Sequence, residues 1–291
     1  MRYGKWLRAG LAVAGPLSAL LLVPAISARE AKPVAAAVAH QRFIVLDGGR
    51  NFRDVGGYRT VAGRSVRWGK LYRSGSLAYL TPKGIRDFDQ LHATSIIDLR
   101  STDERQRDPN NWQAASGHGY WSREYGMPMA ALPSSFGDPA KMTGEAARAM
   151  MAHTYRTLAQ EQAPSYRELF ARLTGPQRGP VVVNCSAGKD RTGIATALVL
   201  TALGVPYATI KQDYLLSNGA YGMDSLKRDL SSPMAALAPD AAAALTGVDG
   251  SYLDATFASL RKQYGSVDNF LVSELGVGPR QIAILKARML R

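Results

Sequence analysis

The stretch VVVNCSAGKDRTG, residues 181–193, holds the single cysteine of a 291-residue chain. PVVVN (180–184) is a short, β-branched apolar run, the composition of a buried strand. Residues 185–191 follow as a polar loop with one glycine. TGIATALVLTALG (192–204) is then an apolar helix closed by Gly204. Strand, glycine-containing loop and helix together make an anion cradle: backbone N–H groups line the loop and the helix presents the positive end of its dipole. Cys185 would lie under that helix N-terminus. There the dipole, Lys189 and Arg191 favour the thiolate, which is the nucleophilic form. Arg191 carries a planar fork that fits two phosphate oxygens, and Gly188 lets the backbone bend around an anion.

Spacing alone is weak ground. A Cys-x5-Arg pair arises by chance about once in ten in an arginine-rich chain. The preceding strand, the internal glycine, the Thr192 hydroxyl directly after Arg191 and the apolar helix are the stronger signal. They weigh against a buried, inert cysteine. A nucleotide-binding loop of the Gly-x4-Gly-Lys-Ser/Thr kind is a poor match, because Gly188-Lys189-Asp190 lacks the first glycine and the hydroxyl.

Outward from this loop the patterns alternate between strand and helix. FIVLDG (43–48) has strand length, and NFRDVGGY (51–58) turns through paired glycines. Residues 58–75 read as a hairpin around Ala62-Gly63. TPKGIRDFDQLH (81–92) opens with Thr81-Pro82 and places Ile85, Phe88 and Leu91 at helical spacing. SIIDLRS (95–101) and YWSREYGMP (120–128) read as strands. Helical spacing runs from Lys141 to Leu173 with a break at Ala163-Pro164, and PYATIKQDYLLSN (206–218) is a further helix. The pattern predicts an α/β fold, a mostly parallel sheet flanked by helices on both faces. Residues 219–248, rich in Ala, Ser, Pro and Met, read as a helical insertion or lid.

Hydrophobic content of 46% and charged content of 20% are globular values. A net charge of +13 attracts anionic partners without choosing among them. Arg2, Lys5 and Arg8 precede the apolar run AGLAVAGPLSALLLVPAI (9–26), which small residues close at Ser27 and Ala28. This order predicts a secretory signal peptide over 1–28, a lead-in over 29–42 and one domain over 43–291, with the protein exported to a periplasm or beyond. The run is short and carries Pro16 and Pro24, which disfavours a permanent membrane span. One cysteine forms no intramolecular bridge, so stability must come from an apolar core.

CSAGKDRTG resembles the signature loop of cysteine-dependent tyrosine phosphatases, most closely the bacterial secreted tyrosine and lipid phosphatases typified by mycobacterial protein tyrosine phosphatase B. NFRDVGGY, LYRSG (71–75), DLRS (98–101), DYLLSN (213–218) and the C-terminal YLDATFASLRKQYGSVDNFL resemble the other blocks of that family, in its order. The resemblance implies a two-step reaction without metal or other cofactor. Cys185 is the nucleophile. Ser186, Ala187, Gly188, Lys189, Asp190 and Arg191 bind phosphate, and Thr192 stabilises the departing thiolate. Asp190 is the implied general acid, since no Trp-Pro-Asp tripeptide is present, and Asp98 at a strand end is the alternative. Family members usually carry histidine where this chain has Asn184; an amide can hydrogen-bond around the loop but brings no positive charge. Lys189 resembles the loop lysine of phosphatases that accept phosphoinositides. Arg53 and Arg73 either add positive charge near the pocket or form structural ion pairs. The implied partners are phosphorylated proteins or phosphoinositides. An inositol-polyphosphate phosphatase, a non-catalytic phosphate-binding module and a sulfurtransferase are the competing readings.

Other features are weaker. His40, His92, His118 and His153 lack metal-ligand spacing. Met150-Met151 with Tyr155 suits plain core better than a substrate cleft. Basic charge without interleaved stacking aromatics makes no case for nucleic acid.

Overall fold

The computed structural model of the protein describes residues 40–110, 112, 119–126, 141–176, 179–224 and 236–291. The leader expected over 1–28 lies outside them, as does most of the lead-in. Five strands form one sheet in the order β1–β2–β5–β3–β4: β1 (Arg53–Asp54), β2 (Leu71–Ser74), β3 (Ser95–Asp98), β4 (Gly119–Ser122) and β5 (Val181–Asn184). Only β1 runs antiparallel to its neighbour. The parallel register sets Ser74, Asn184, Asp98 and Ser122 abreast at the carboxyl edge. In a parallel sheet this edge is where ligands are met.

The helices are α1 (Pro82–Asp89), α2 (Thr102–Arg107), α3 (Gly144–Glu161), α4 (Ala163–Thr174), α5 (Arg191–Leu203), α6 (Tyr207–Leu215), α7 (Pro239–Thr246), α8 (Gly250–Tyr264), α9 (Val267–Ser273) and α10 (Pro279–Met289). Side chains alternate across the strands. Leu71, Val181, Val183 and Ile97 join the larger core with α3, α4, α5 and α8. Tyr72, Val182 and Ile96 face the other way, onto Phe88 of α1 and onto Leu46, Phe52 and Leu77. Both faces of the sheet are therefore covered, which explains the unbroken apolar reading of its central strands. α5 is buried on nearly every side, and Gly204 ends it in the left-handed conformation with φ of 84°.

Three expectations shift. FIVLDG is not a strand: Phe43 alone bridges to Arg53. The chain turns at Gly48, and the Asp47 carbonyl accepts from the Thr81 amide at 3.1 Å, so the segment braces the start of α1. The strand read over 120–128 is β4, ending at Ser122; beyond it Tyr125 bonds to Thr102 rather than to a strand. The hairpin at Ala62-Gly63 is short, pairing Arg59 with Ser65, while Leu71–Ser74 belongs to the main sheet.

The helical break falls at Gln162, with Pro164 in the first turn of α4 where a missing N–H costs nothing. Of the insertion read over 219–248, residues 225–235 lie outside the described residues; Ala241 and Ala244 of α7 cluster with Ala147 of α3 and with Met142 just before it. Among the described residues no helix is long and apolar enough to cross a membrane.

Candidate active site

β5 delivers Cys185 to the carboxyl edge of the sheet, where it is a free thiol 1% exposed. The loop that follows is held from outside by its carbonyls. The Ser76 amide donates to the Ser186 carbonyl at 2.9 Å. The Asn51 side-chain amide donates to the carbonyls of Ala187 and Gly188 at 3.1 and 2.9 Å. Arg73 Nη2 donates to the same Gly188 carbonyl at 2.9 Å. Gly188 has φ of 67°, and a Cβ there would overlap the carbonyl of Ser74. None of the N–H groups of residues 186–190 donates to another described residue. In a planar peptide, C=O and N–H point opposite ways. Fixing the carbonyls outward therefore turns a run of N–H groups inward, the arrangement of an anion-binding nest.

Arg191 is the first residue of α5, and Glu104 of α2 orients its guanidinium. Nη1 donates to Glu104 Oε2 at 2.6 Å and Nη2 to Oε1 at 2.7 Å. Nη1 also reaches the Leu99 carbonyl and the Tyr125 hydroxyl, each at 3.1 Å. Glu104 is placed by a capping box. The Ser101 hydroxyl accepts from the Glu104 amide, and Glu104 Oε2 accepts from the Ser101 amide at 2.7 Å. Ser186 also donates its hydroxyl to Glu104 Oε1, at 2.5 Å. Burial by itself would raise the Glu104 carboxyl; hydrogen bonds and charge from Arg191, with Ser186 and Ser101, outweigh it and hold the group at about 2.

Asp190 stands at the N-cap of α5 yet makes no capping bond to that helix. Oδ1 instead accepts from the Tyr155 hydroxyl of α3 at 2.5 Å. Lys189, expected to add a cation beside the pocket, is engaged by the end of α7. Its ammonium donates to the carbonyls of Leu245 and Gly247, both at 2.8 Å, and so caps the C-terminal end of α7.

Asp98 is taken up elsewhere. Its carboxylate accepts from Arg100 Nη2 at 2.7 Å, Arg100 Nε and the Arg100 amide at 3.0 Å, Tyr120 Oη at 2.9 Å and Asn184 Nδ2 at 3.1 Å. Asn184 thereby ties the strand end below Cys185 to a buried ion pair. The Thr192 hydroxyl and Asn184 Oδ1 are buried with no hydrogen-bond partner among the described residues.

Arg53 and Arg73 are fully buried and share Asp213, through Nε at 3.3 Å and Nη1 at 2.6 Å respectively. They are structural ion pairs rather than cations lining a pocket. Arg53 also donates to Asn51 Oδ1, and so steadies the side chain that holds the loop. Burial first, then the charge of Arg73, lowers Arg53 to about 10 despite Asp213. Asp213 is held at about 2, because the two arginines and Tyr58 outweigh its burial.

Sequence reasoning did not single out Glu104, Asn51 or the Tyr155 hydroxyl as parts of the site. For Glu104 a signal existed, since Ser101-x-x-Glu104 is a legible capping box. Tyr155 was read as core, and it is buried; its hydroxyl partner lies in another element.

Comparison with known proteins agrees with this geometry. The profile of the tyrosine phosphatase family matches residues 44–291. A protein of Cupriavidus necator, provisionally named a tyrosine-protein phosphatase, is 34% identical over 96% of this chain and 97% of its own. A tyrosine-protein phosphatase of Nostoc commune is 30% identical over 70% of this chain and 69% of its own. The triple specificity protein phosphatase PtpB of Mycobacterium tuberculosis is 28% identical over 78% of this chain and 91% of its own. An inward-facing amide loop behind a lone buried cysteine, closed by an arginine at the head of α5, is thus found on a chain that belongs to the tyrosine phosphatase family.

Proposed function

We propose that the protein hydrolyses phosphotyrosine through a cysteinyl-phosphate. The Cys185 thiolate attacks phosphorus, forming the S–P bond as the bond to the phenolic oxygen breaks. Asp190 gives its proton to that oxygen. Water then attacks phosphorus, Asp190 takes a proton from it, and the Cys185 thiolate leaves. The loop amides and Arg191 hold the three phosphoryl oxygens throughout and strengthen as charge spreads over them. We assign Thr192, whose buried hydroxyl is without a partner among the described residues, to the thiolate in the second step.

The observation that carries this reading is the outward tethering of the loop carbonyls at Ser186, Ala187 and Gly188, which leaves the amides for phosphate. Asp190 is preferred to Asp98 as the acid, because both carboxylate oxygens of Asp98 are engaged, by Arg100 in an ion pair and by Tyr120 and Asn184. Phosphoserine and phosphothreonine are carried as further substrates with a relative named a triple specificity protein phosphatase in view, and phosphoinositides on the resemblance of the loop lysine Lys189. For a phosphoinositide, Lys189 would have to release α7 to meet a second phosphate. We read the N-terminal segment as an export signal, which places the reaction in a periplasm or outside the cell.

The test is hydrolysis of p-nitrophenyl phosphate in the presence of a chelator. Wild type turns over and Cys185→Ser does not; turnover that persists in the variant rejects the mechanism. A panel of phosphopeptides, phosphoinositides and soluble inositol phosphates then ranks the substrates.

A further inference from the structure

We propose that Tyr155 is a positioning residue for the acid, with Tyr214 behind it as the second link of a buried relay. The proposal rests on Asp190 as the general acid and names what sets its geometry. Aspartate at an N-cap ordinarily accepts from the amides of its own helix. Asp190 does not; its Oδ1 accepts from Tyr155 Oη at 2.5 Å, and Tyr155 Oη accepts from Tyr214 Oη at 2.8 Å. Both phenols are buried, at 0% and 1% exposure.

The relay is fixed from several sides. The Tyr155 ring packs against Tyr214 and Tyr252, and its carbonyl accepts from Thr256 Oγ1 at 2.8 Å. Tyr214 lies against the first turn of α5, where Gly193 leaves room for its ring. Burial, then the charge of Asp190, keeps the Tyr155 phenol protonated well above the usual tyrosine range, so it remains a donor. The only other described group on the carboxylate, the Lys189 ammonium at 3.5 Å, also meets Oδ1.

The chemistry follows from which oxygen is occupied. With Oδ1 accepting from Tyr155, the acid proton resides on Oδ2. The Oδ2–H bond breaks as the leaving oxygen gains the proton. The negative charge that develops on Asp190 strengthens the hydrogen bond from Tyr155, since a bond to an ionised acceptor is the stronger kind. Tyr155 thus helps more in the transition state than before it, and most where proton transfer is most advanced.

The experiment is a leaving-group series of aryl phosphates, from 2,4-dinitrophenyl to phenyl, with wild type, Tyr155→Phe, Tyr214→Phe and Asp190→Asn, alongside vanadate binding. Tyr155→Phe should lose about tenfold in kcat/KM on phenyl phosphate, the scale of one charge-assisted hydrogen bond. The loss should shrink as the leaving group improves, while vanadate affinity holds. Tyr214→Phe should tilt the series the same way by less. An equal loss across the series, or none, in Tyr155→Phe while Asp190→Asn tilts it strongly overturns the positioning role and leaves Asp190 as the acid. A flat series in Asp190→Asn removes the acid assignment itself. Should Tyr155→Phe fail to fold, the tilt in Tyr214→Phe decides, and a flat result there rejects the relay.

Discussion

Glu104 grips Arg191 with both carboxylate oxygens, at 2.6 and 2.7 Å, and the pair is nearly buried. The guanidinium proposed to clamp phosphate is therefore oriented before any phosphate arrives. Glu104→Gln keeps the shape but replaces one acceptor oxygen by a donor, so the fork loses a partner and turns. Misplacement on the scale of an ångström costs about 10²-fold in rate. We expect kcat/KM on p-nitrophenyl phosphate to fall by roughly that factor, with weaker vanadate binding in calorimetry.

The same carboxylate makes stability depend on acid. Its folded value of about 2 lies below the ordinary glutamate value of 4.5, so its contribution is present in full above pH 4.5 and is lost as pH falls toward 2. The shift corresponds to ~3 kcal/mol at neutral pH. Asp213, also held at about 2, adds in the same direction. Urea unfolding at pH 7 and pH 3 should show about 2 kcal/mol of this loss in wild type, the rest lying below pH 3, and a shallower pH dependence in Glu104→Gln.

Gly188 is the tightest backbone position of the loop. Gly188→Ala forces a side chain into the left-handed region, at a cost of about 1–3 kcal/mol, and pushes the loop off Ser74. The amides then lose their common focus. Vanadate binding should drop by more than tenfold, and the thermal midpoint should fall by roughly 2–4 °C for each kcal/mol of the strain.

Asp213 neutralises two buried arginines at once. Asp213→Asn leaves both charges poorly compensated, and breaking a buried pair costs about 3–5 kcal/mol. Arg73 then loosens its hold on the Gly188 carbonyl. Differential scanning calorimetry should register a large drop in thermal midpoint, and turnover should fall with it at temperatures where the variant remains folded.

Lys189 ties the signature loop to the end of α7. Lys189→Met keeps the aliphatic stem and removes both bonds. Hydrogen exchange should accelerate across residues 241–248 relative to wild type; unchanged protection there would show that packing on α3 alone holds α7.

Much of the framework was legible because it rests on local rules. Three valines, a glycine loop and an apolar helix ended by Gly204 announce β5, the cradle and α5 within 25 residues of sequence. Thr81 marks a helix start by its cap. The cap at Ser101 was equally local, yet SIIDLRS read as one strand, and the helix after Ser101 went unread. FIVLDG misled, because a short apolar run does not say whether its backbone pairs with a strand or braces a helix.

The partners of the site were beyond local reach. Glu104 meets Arg191 across 87 residues, Tyr155 meets Asp190 across 35, and Asn51 meets Gly188 across 137. By itself the sequence determined the place of Cys185, the loop after it and the strand–helix frame that presents both, since these depend on neighbours in the chain. Only the tertiary structure decided that Lys189 caps α7, that Asp98 serves Arg100 and that Tyr155 reaches Asp190. A buried charge or hydroxyl must find a partner, but packing, not residue type, determines which partner is within 3 Å of it.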